Sequence, residues 1–139
     1  AKDAYLRGGQ FEPEKMIALL TAETDKALQE GYTALRATGE MRWALAGEPG
    51  SERLVEYETL LNDFFPDRRC YAVCQYDRRR FDSEMLLEVL HTHPQVLFGT
   101  ESFDNRRMYY VPPSEFLGAD RQTATLNRWL GNLSDRPQL

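Results

Sequence analysis

Apolar positions fall into two alternating rhythms along the chain. Around residues 11–30, Met16, Leu19, Leu20, Ala27 and Leu28 keep helical spacing on one face, and Phe11-Glu12-Pro13-Glu14 opens that helix with proline and acids in its first turn. Glu30-Gly31 ends it, and residues 33–38 read as a short strand. Gly39-Glu40-Met41-Arg42-Trp43-Ala44-Leu45 leaves the sheet as a helical turn, and Gly47-Glu48-Pro49-Gly50 is a loop. Ser51 suits the cap of a second helix, which points Leu54, Tyr57, Leu61, Phe64 and Phe65 inward and stops at Pro66. Residues 70–76 form a β-rich apolar run that ends abruptly in Asp77 and Arg78-Arg79-Arg80, the pattern of a central strand. Asp82 or Ser83 caps a third helix carrying Met85, Leu86, Val89 and Leu90, closed by His91-Thr92-His93-Pro94. The pattern then predicts a strand over 95–98, a polar loop over 101–107, a last strand over 108–111, and a final helix over 114–133 weakened by Gly118 and Gly131.

Helix and strand alternate throughout. This implies an α/β domain with a mostly parallel sheet flanked by helices and right-handed crossovers. A length of 139 residues suits one domain, placed at 1–133, with 134–139 as a tail or linker. The start at Ala1 rather than Met fits a trimmed chain or a piece of a longer protein.

A net charge of −5 with one short basic cluster argues against direct nucleic-acid binding by this domain. No apolar run approaches the roughly 20 residues of a membrane span, and no secretory signal is visible. Cys70 and Cys74 share one face of their strand about 13 Å apart. A disulfide needs Cα atoms within about 7 Å. Both are expected to be free thiols in a reducing, cytoplasmic compartment.

Ligands of open α/β sheets bind beyond the carboxyl ends of the strands. If the strands at 33–38, 70–76 and 95–98 are parallel, Glu40, Gln75, Tyr76, Asp77 and Glu101 gather on one rim, with Met41 and Trp43 as an apolar wall. That is the usual make-up of a small-molecule site. The bland alternative pairs Glu40 with a nearby arginine and buries Trp43 in the core. Glu40 and Asp77 also form a candidate carboxylate pair, although nothing nearby tunes one against the other. Arg78, Arg79 and Arg80 offer a weak anion site, with Asp77 and Glu84 as competing partners. His91-x-His93 has metal-ligand spacing. Both histidines precede their strand while Cys74 lies toward the end of its own, so no shared metal site is expected, nor any other cofactor. The bland role of His93-Pro94 is to shape the turn. A redox role for Cys74 needs exposure and a lowered pKa, which its apolar strand opposes.

Several stretches together resemble one family. They are Ala4-Tyr5-Leu6, Gly9-Gln10-Phe11-Glu12-Pro13, Gly31-Tyr32-Thr33-Ala34-Leu35-Arg36 and Gly39 to Leu45. Glu56-Tyr57-Glu58, Cys74-Gln75-Tyr76-Asp77, Thr92-His93-Pro94 and Tyr110-Val111-Pro112-Pro113 complete the set. Their order and spacing resemble the MEDS domain, the methanogen/methylotroph, DcmR-type sensory domain, over about residues 4–117. The resemblance implies a RecA/KaiC-like fold without the nucleotide-binding loop, and no Gly-x-x-x-x-Gly-Lys-Ser/Thr pattern occurs here. Members usually carry a further strand–helix–strand portion before the residues matching Ala4. Its absence here implies a partial sheet or a fragment, and an exposed edge invites pairing with another chain.

The expectation is therefore a non-catalytic sensory domain of a prokaryotic signalling or transcription-regulating protein. It would bind a small, hydrocarbon-like molecule at Glu40, Met41, Trp43, Gln75, Tyr76 and Asp77, and pass the change to an output domain such as a histidine kinase or a DNA-binding domain. The alternatives are an interaction or homo-oligomerisation module without a ligand, and a degenerate ATPase-like enzyme.

Overall fold

The computed structural model describes residues 2–6 and 8–134, with side chains from Ala4 onward. Of the tail expected at 134–139, Ser134 still belongs to the last helix and residues 135–139 lie outside the described residues. A one-turn helix α1 (Lys2–Tyr5) leads to α2 (Pro13–Gln29), which starts on Pro13 as its pattern predicts. Met16 and Leu20 are buried, whereas Leu28 is exposed because the last turn runs past the core. Thr24 takes the next inward position and satisfies its hydroxyl on the Leu20 carbonyl at 2.6 Å. Gly31, at φ 91°, turns the chain out of the helix.

β1 (Leu35–Glu40) and β2 (Cys70–Gln75) pair in parallel, in register from Leu35 opposite Cys70 to Glu40 opposite Gln75. The crossover between them is α3 (Leu54–Phe64), which buries Leu54, Tyr57, Leu61 and Phe64 as the spacing predicts. One face of the pair meets the helices. The other exposes Arg36, Thr38, Tyr71, Val73 and Gln75. Alternating exposure in a parallel pair is unusual, because such strands are ordinarily covered on both faces.

After β1 the chain winds into a 3₁₀ turn, Met41–Ala46, capped by Glu40, whose carboxylate accepts from the Arg42 amide at 3.0 Å. This turn drives Met41 and Trp43 inward, to 0% and 6% exposure. Trp43 stacks on Tyr5 with ring centroids 4.9 Å apart and meets Phe11 at 4.8 Å. Tyr57 closes the group edge-on to Phe11 at 5.5 Å. Gly50 lets the following loop press against Phe11. At φ 85°, a Cβ there would stand 2.1 Å from the Phe11 carbonyl oxygen.

The second half departs from the expected parallel order. α4 (Ser83–Thr92) starts on Asp82, which accepts from the Met85 amide at 2.8 Å. β3 (Gln95–Phe98) then pairs antiparallel with β4 (Glu101–Asp104) as a separate two-stranded sheet. Gly99, at φ 63°, allows the tight two-residue reversal at Gly99-Thr100. The segment read as a polar loop thus holds a strand, and Glu101 does not reach the end of the β1–β2 pair. Residues 108–111 form turn and irregular structure rather than a strand. Asn105 organises them: its carbonyl accepts from the Met108 and Tyr110 amides, and its side chain donates to the Leu90 and His93 carbonyls at 2.7 and 2.9 Å. The single helix expected over 114–133 is two, α5 (Pro113–Phe116) and α6 (Arg121–Ser134), parted at the Leu117-Gly118 break. Among the described residues, no helix is long and apolar enough to cross a membrane.

Candidate functional site

Glu58 interrupts the apolar stripe of α3, one residue after Tyr57 and three before Leu61, and is 2% exposed. A carboxylate at such a position must be met by donors or opposite charge. Three residues, from the ends of β2 and α4, supply them. Cys74, near the end of β2, donates its thiol to Oε2 at 3.2 Å. Tyr76, just beyond β2, donates its hydroxyl to Oε1 at 2.5 Å. His93, just beyond α4, brings Nε2 to 3.4 Å from Oε2. The Glu58 oxygen, the Cys74 sulfur and a His93 nitrogen all lie within 4.8 Å of one another.

The surroundings hold these groups in place. His93 Nδ1 lies 2.8 Å from the Val89 carbonyl and 3.1 Å from Thr92 Oγ1, which turns Nε2 toward Glu58. The backbone at His93 is clamped from two sides. Asn62 on α3 donates to the Thr92 carbonyl at 2.6 Å, and Asn105 donates to the His93 carbonyl. Tyr76 packs edge-on to Phe81 and to the His93 ring.

Electrostatics follow from burial around one acid. Burial pushes the Cys74 thiol far up, and the adjacent Glu58 carboxylate pushes it further. Tyr76 is raised by the same two causes in the same order. Burial, the largest cause, also raises Tyr5 and Tyr57, and the Glu58 carboxylate adds to it. Thiol and phenols therefore stay protonated and serve as donors. For His93, burial pulls the imidazole down, but the hydrogen bond and charge of Glu58 outweigh it, leaving the pKa raised. The site is thus a carboxylate facing an imidazole, ringed by neutral donors, with Tyr5 and Tyr57 beside it and Trp43 stacked on Tyr5.

The rim residues divide. Glu40 and Gln75 are opposite one another at the ends of β1 and β2, as the strand reading expects. Glu40 turns to Arg42 at 2.9 Å, and Asp77 to Arg79 at 3.0 Å and Arg80 at 3.5 Å, so the two acids each take their own arginines. Hydrogen bonds from Arg79 hold the Asp77 carboxyl down at about 2. Arg78 and Gln75 are exposed. Met41 and Trp43 lie in the core, and Tyr76 turns inward to Glu58.

The expected separation of His93 from Cys74 does not hold. β3 pairs with β4 instead of extending the parallel pair, so the C-terminal end of α4 is free to sit beside the end of β2. His91 points the other way, 3.2 Å from Arg121 and against Trp129. Burial, its largest influence, lowers its pKa. Both cysteines are free, as expected. Glu58 is the residue that sequence reasoning missed, and His93 the one it weighed as a ligand and set apart from Cys74. The available signal for Glu58 was an acid at i+4 from Leu54 and i−3 from Leu61, inside an apolar stripe.

One surface cavity borders this region and another lies apart from it. One, of about 290 Å³, is lined by Tyr5, Gln10, Met16, Leu19 and neighbours, so that Tyr5 separates it from the Glu58 cluster. The other, of about 380 Å³, lies between α4 and α6 beside Glu88, His91, Arg121 and Trp129.

No solved structure matches this chain. One curated relative is the transcriptional repressor DcmR of Methylorubrum extorquens (strain DSM 6343 / CIP 106787 / DM4). It is 36% identical over 69 residues, which is 49% of this chain and 26% of the repressor. The chain thus covers about a quarter of that relative's length. Residues 1–94 match the family described as MEDS, the MEthanogen/methylotroph, DcmR Sensory domain. That span holds β1, β2, α3 and all four residues of the Glu58 cluster, and it stops short of Tyr110-Val111-Pro112-Pro113. The chain belongs to the MEDS family of sensory domains.

Proposed function

We propose that this chain is the non-catalytic sensing part of a prokaryotic regulator, and that it detects a small, mainly apolar molecule at the C-terminal ends of β1 and β2. The observation that carries the reading is the buried Glu58 cluster. It places convergent polar groups, Tyr76, Cys74 and His93, beside the Tyr5 and Tyr57 rings, with Trp43 stacked on Tyr5. Apolar surface with a few aimed polar groups is how small-molecule sites are built. Met41 and Trp43 form the floor from the β1 side, with Glu40, Gln75 and Asp77 at the outer edge. The ligand reaches the cluster when Tyr5 or Trp43 shifts. Favouring that shifted state over the resting one is what makes binding a signal.

The match to a transcriptional repressor supports a DNA-binding output domain in the whole protein, ahead of a histidine kinase. It also supports a cytoplasmic setting. The parallel β1–α3–β2 unit suits one part of a RecA-like sheet. A thermal-shift screen of the full chain against short hydrocarbons and their halogenated and oxidised derivatives tests the reading. At one hundred times its Kd, a binder stabilises the fold by about 2.7 kcal/mol. At least one compound is expected to raise Tm, and Glu58→Gln is expected to remove the effect. No shift across the panel overturns the proposal.

The exposed face of the parallel pair favours a second reading, an interaction module. Tyr71 is 67% exposed and Val73 41% there, on strands that are ordinarily covered. Light scattering over a wide concentration range tests self-association, and a strict monomer throughout sinks that form of it.

A further inference from the structure

We propose that Glu58, Cys74 and His93 bind one divalent first-row transition metal ion of the zinc type. Carboxylate, thiolate and imidazole are all established donors for such an ion. With bonds of 2.0–2.3 Å and tetrahedral angles, neighbouring donor atoms stand about 3.3–3.7 Å apart, the pairs with sulfur being the longer. Glu58 Oε2 already lies 3.2 Å from Cys74 Sγ and 3.4 Å from His93 Nε2. Two edges of the donor triangle therefore lie near tetrahedral spacing, the third is within 4.8 Å, and shifts of a few tenths of an ångström to about one ångström complete the set.

Outer contacts match those of a metal ligand set. A ligating histidine ordinarily gives its other ring N–H to a carbonyl. His93 Nδ1 sits 2.8 Å from the Val89 carbonyl, leaving Nε2 for the ion. A ligating carboxylate is ordinarily held by a further donor. The Tyr76 hydroxyl occupies the second Glu58 oxygen while Oε2 faces the other two donors. The ion also supplies the positive charge that a carboxylate at 2% exposure needs. Sulfur in the set selects against calcium and magnesium, which take oxygen ligands.

Binding replaces the S–H bond of Cys74, and the N–H bond that His93 Nε2 directs at Glu58, with bonds to the metal, and releases the protons to solvent. Three protein donors leave a fourth position, which water fills. The assignment stands independently of whether the domain binds an apolar molecule.

Cobalt(II) titration of the reduced full chain tests it. The expected result is one ion per chain, with a thiolate-to-cobalt charge-transfer band, d–d bands of tetrahedral intensity, and displacement of cobalt by zinc. Cys74→Ser loses the charge-transfer band, whereas Cys70→Ser, altered at the other free cysteine, keeps it. His93→Gln and Glu58→Gln each weaken binding by at least about tenfold, and Tyr76→Phe keeps the band with affinity down about tenfold. Circular dichroism confirms the fold of each variant. The wild type and Cys70→Ser alone decide the matter if the others fail to fold. A wild-type chain that shows no charge-transfer band at stoichiometric cobalt, or a band that disappears in Cys70→Ser, overturns the proposal.

Discussion

The Tyr76 hydroxyl donates to Glu58 Oε1 across 2.5 Å, joining the residue just past β2 to the second turn of α3. This bond closes a loop of chain that contains the whole of β2, and with the Cys74 and His93 contacts it makes one acid the common partner of groups from the ends of β2 and α4. Tyr76→Phe keeps the ring's packing against Phe81 and removes only the donor. A hydrogen bond to a charged group contributes about 1.5–3 kcal/mol. Urea denaturation is expected to show a loss of that size with an unchanged m-value. A loss under about 0.5 kcal/mol, the range of an ordinary surface substitution, contradicts the place given to this bond.

Gly50 is the second test of the packing account. It combines φ 85° with a Cβ position 2.1 Å from the Phe11 carbonyl oxygen, on rigid backbone that also accepts nothing larger. Phe11 is fixed there by its own amide, which donates to the Pro49 carbonyl at 2.8 Å. Gly50→Ala is expected to destabilise the domain by more than about 1 kcal/mol. Gly47 is also left-handed, at φ 68°, but has open space around its Cβ position, so Gly47→Ala carries only the backbone strain. Equal losses at the two sites run against the close approach to Phe11.

Asp77 provides the pH test. Arg79 donates to it from both side chain and backbone and holds its carboxyl at about 2, below the ordinary value of 3.8. A depressed carboxyl contributes stability above its unfolded pKa and loses it as pH falls through the folded one. The contribution of Asp77 is therefore complete above about pH 4 and fades toward pH 2. Carbonyl-detected NMR titration of the Asp77 side chain should find a midpoint near 2, and Arg79→Ala should move it up. A midpoint of 3.8 in the wild type excludes the pairing.

Much of the first half was legible in the sequence, because each of its elements carries a local signal. Pro13 opens α2, Gly31 closes it, and the Leu54-Tyr57-Leu61 spacing fixes the buried side of α3. The parallel pair followed from one helix lying between two strand-like runs. The second half was less legible because its structure depends on distant partners. Asn105 looks like one more polar loop residue, yet its bonds to Leu90 and His93 decide the path of residues 105–110. Strand periodicity at 95–98 gives no direction of pairing, and the Gly99-Thr100 turn resolved it as a hairpin. The same limit governed the site. His93 was placed far from Cys74 by assuming a third parallel strand, and the hairpin removed that assumption. Glu40, Met41 and Trp43 drew attention because they lie at the end of β1, but whether they turn outward or inward depends on the 3₁₀ turn that follows.

The most direct test of the sensing account is a ¹H–¹⁵N correlation titration of the full chain with short haloalkanes and alcohols. The account predicts saturable shifts concentrated at the amides of residues 39–43 and 74–77, with Glu58 and His93 responding alongside them. Shifts that never saturate, or that are confined to the groove beside Glu88 and Trp129, contradict it.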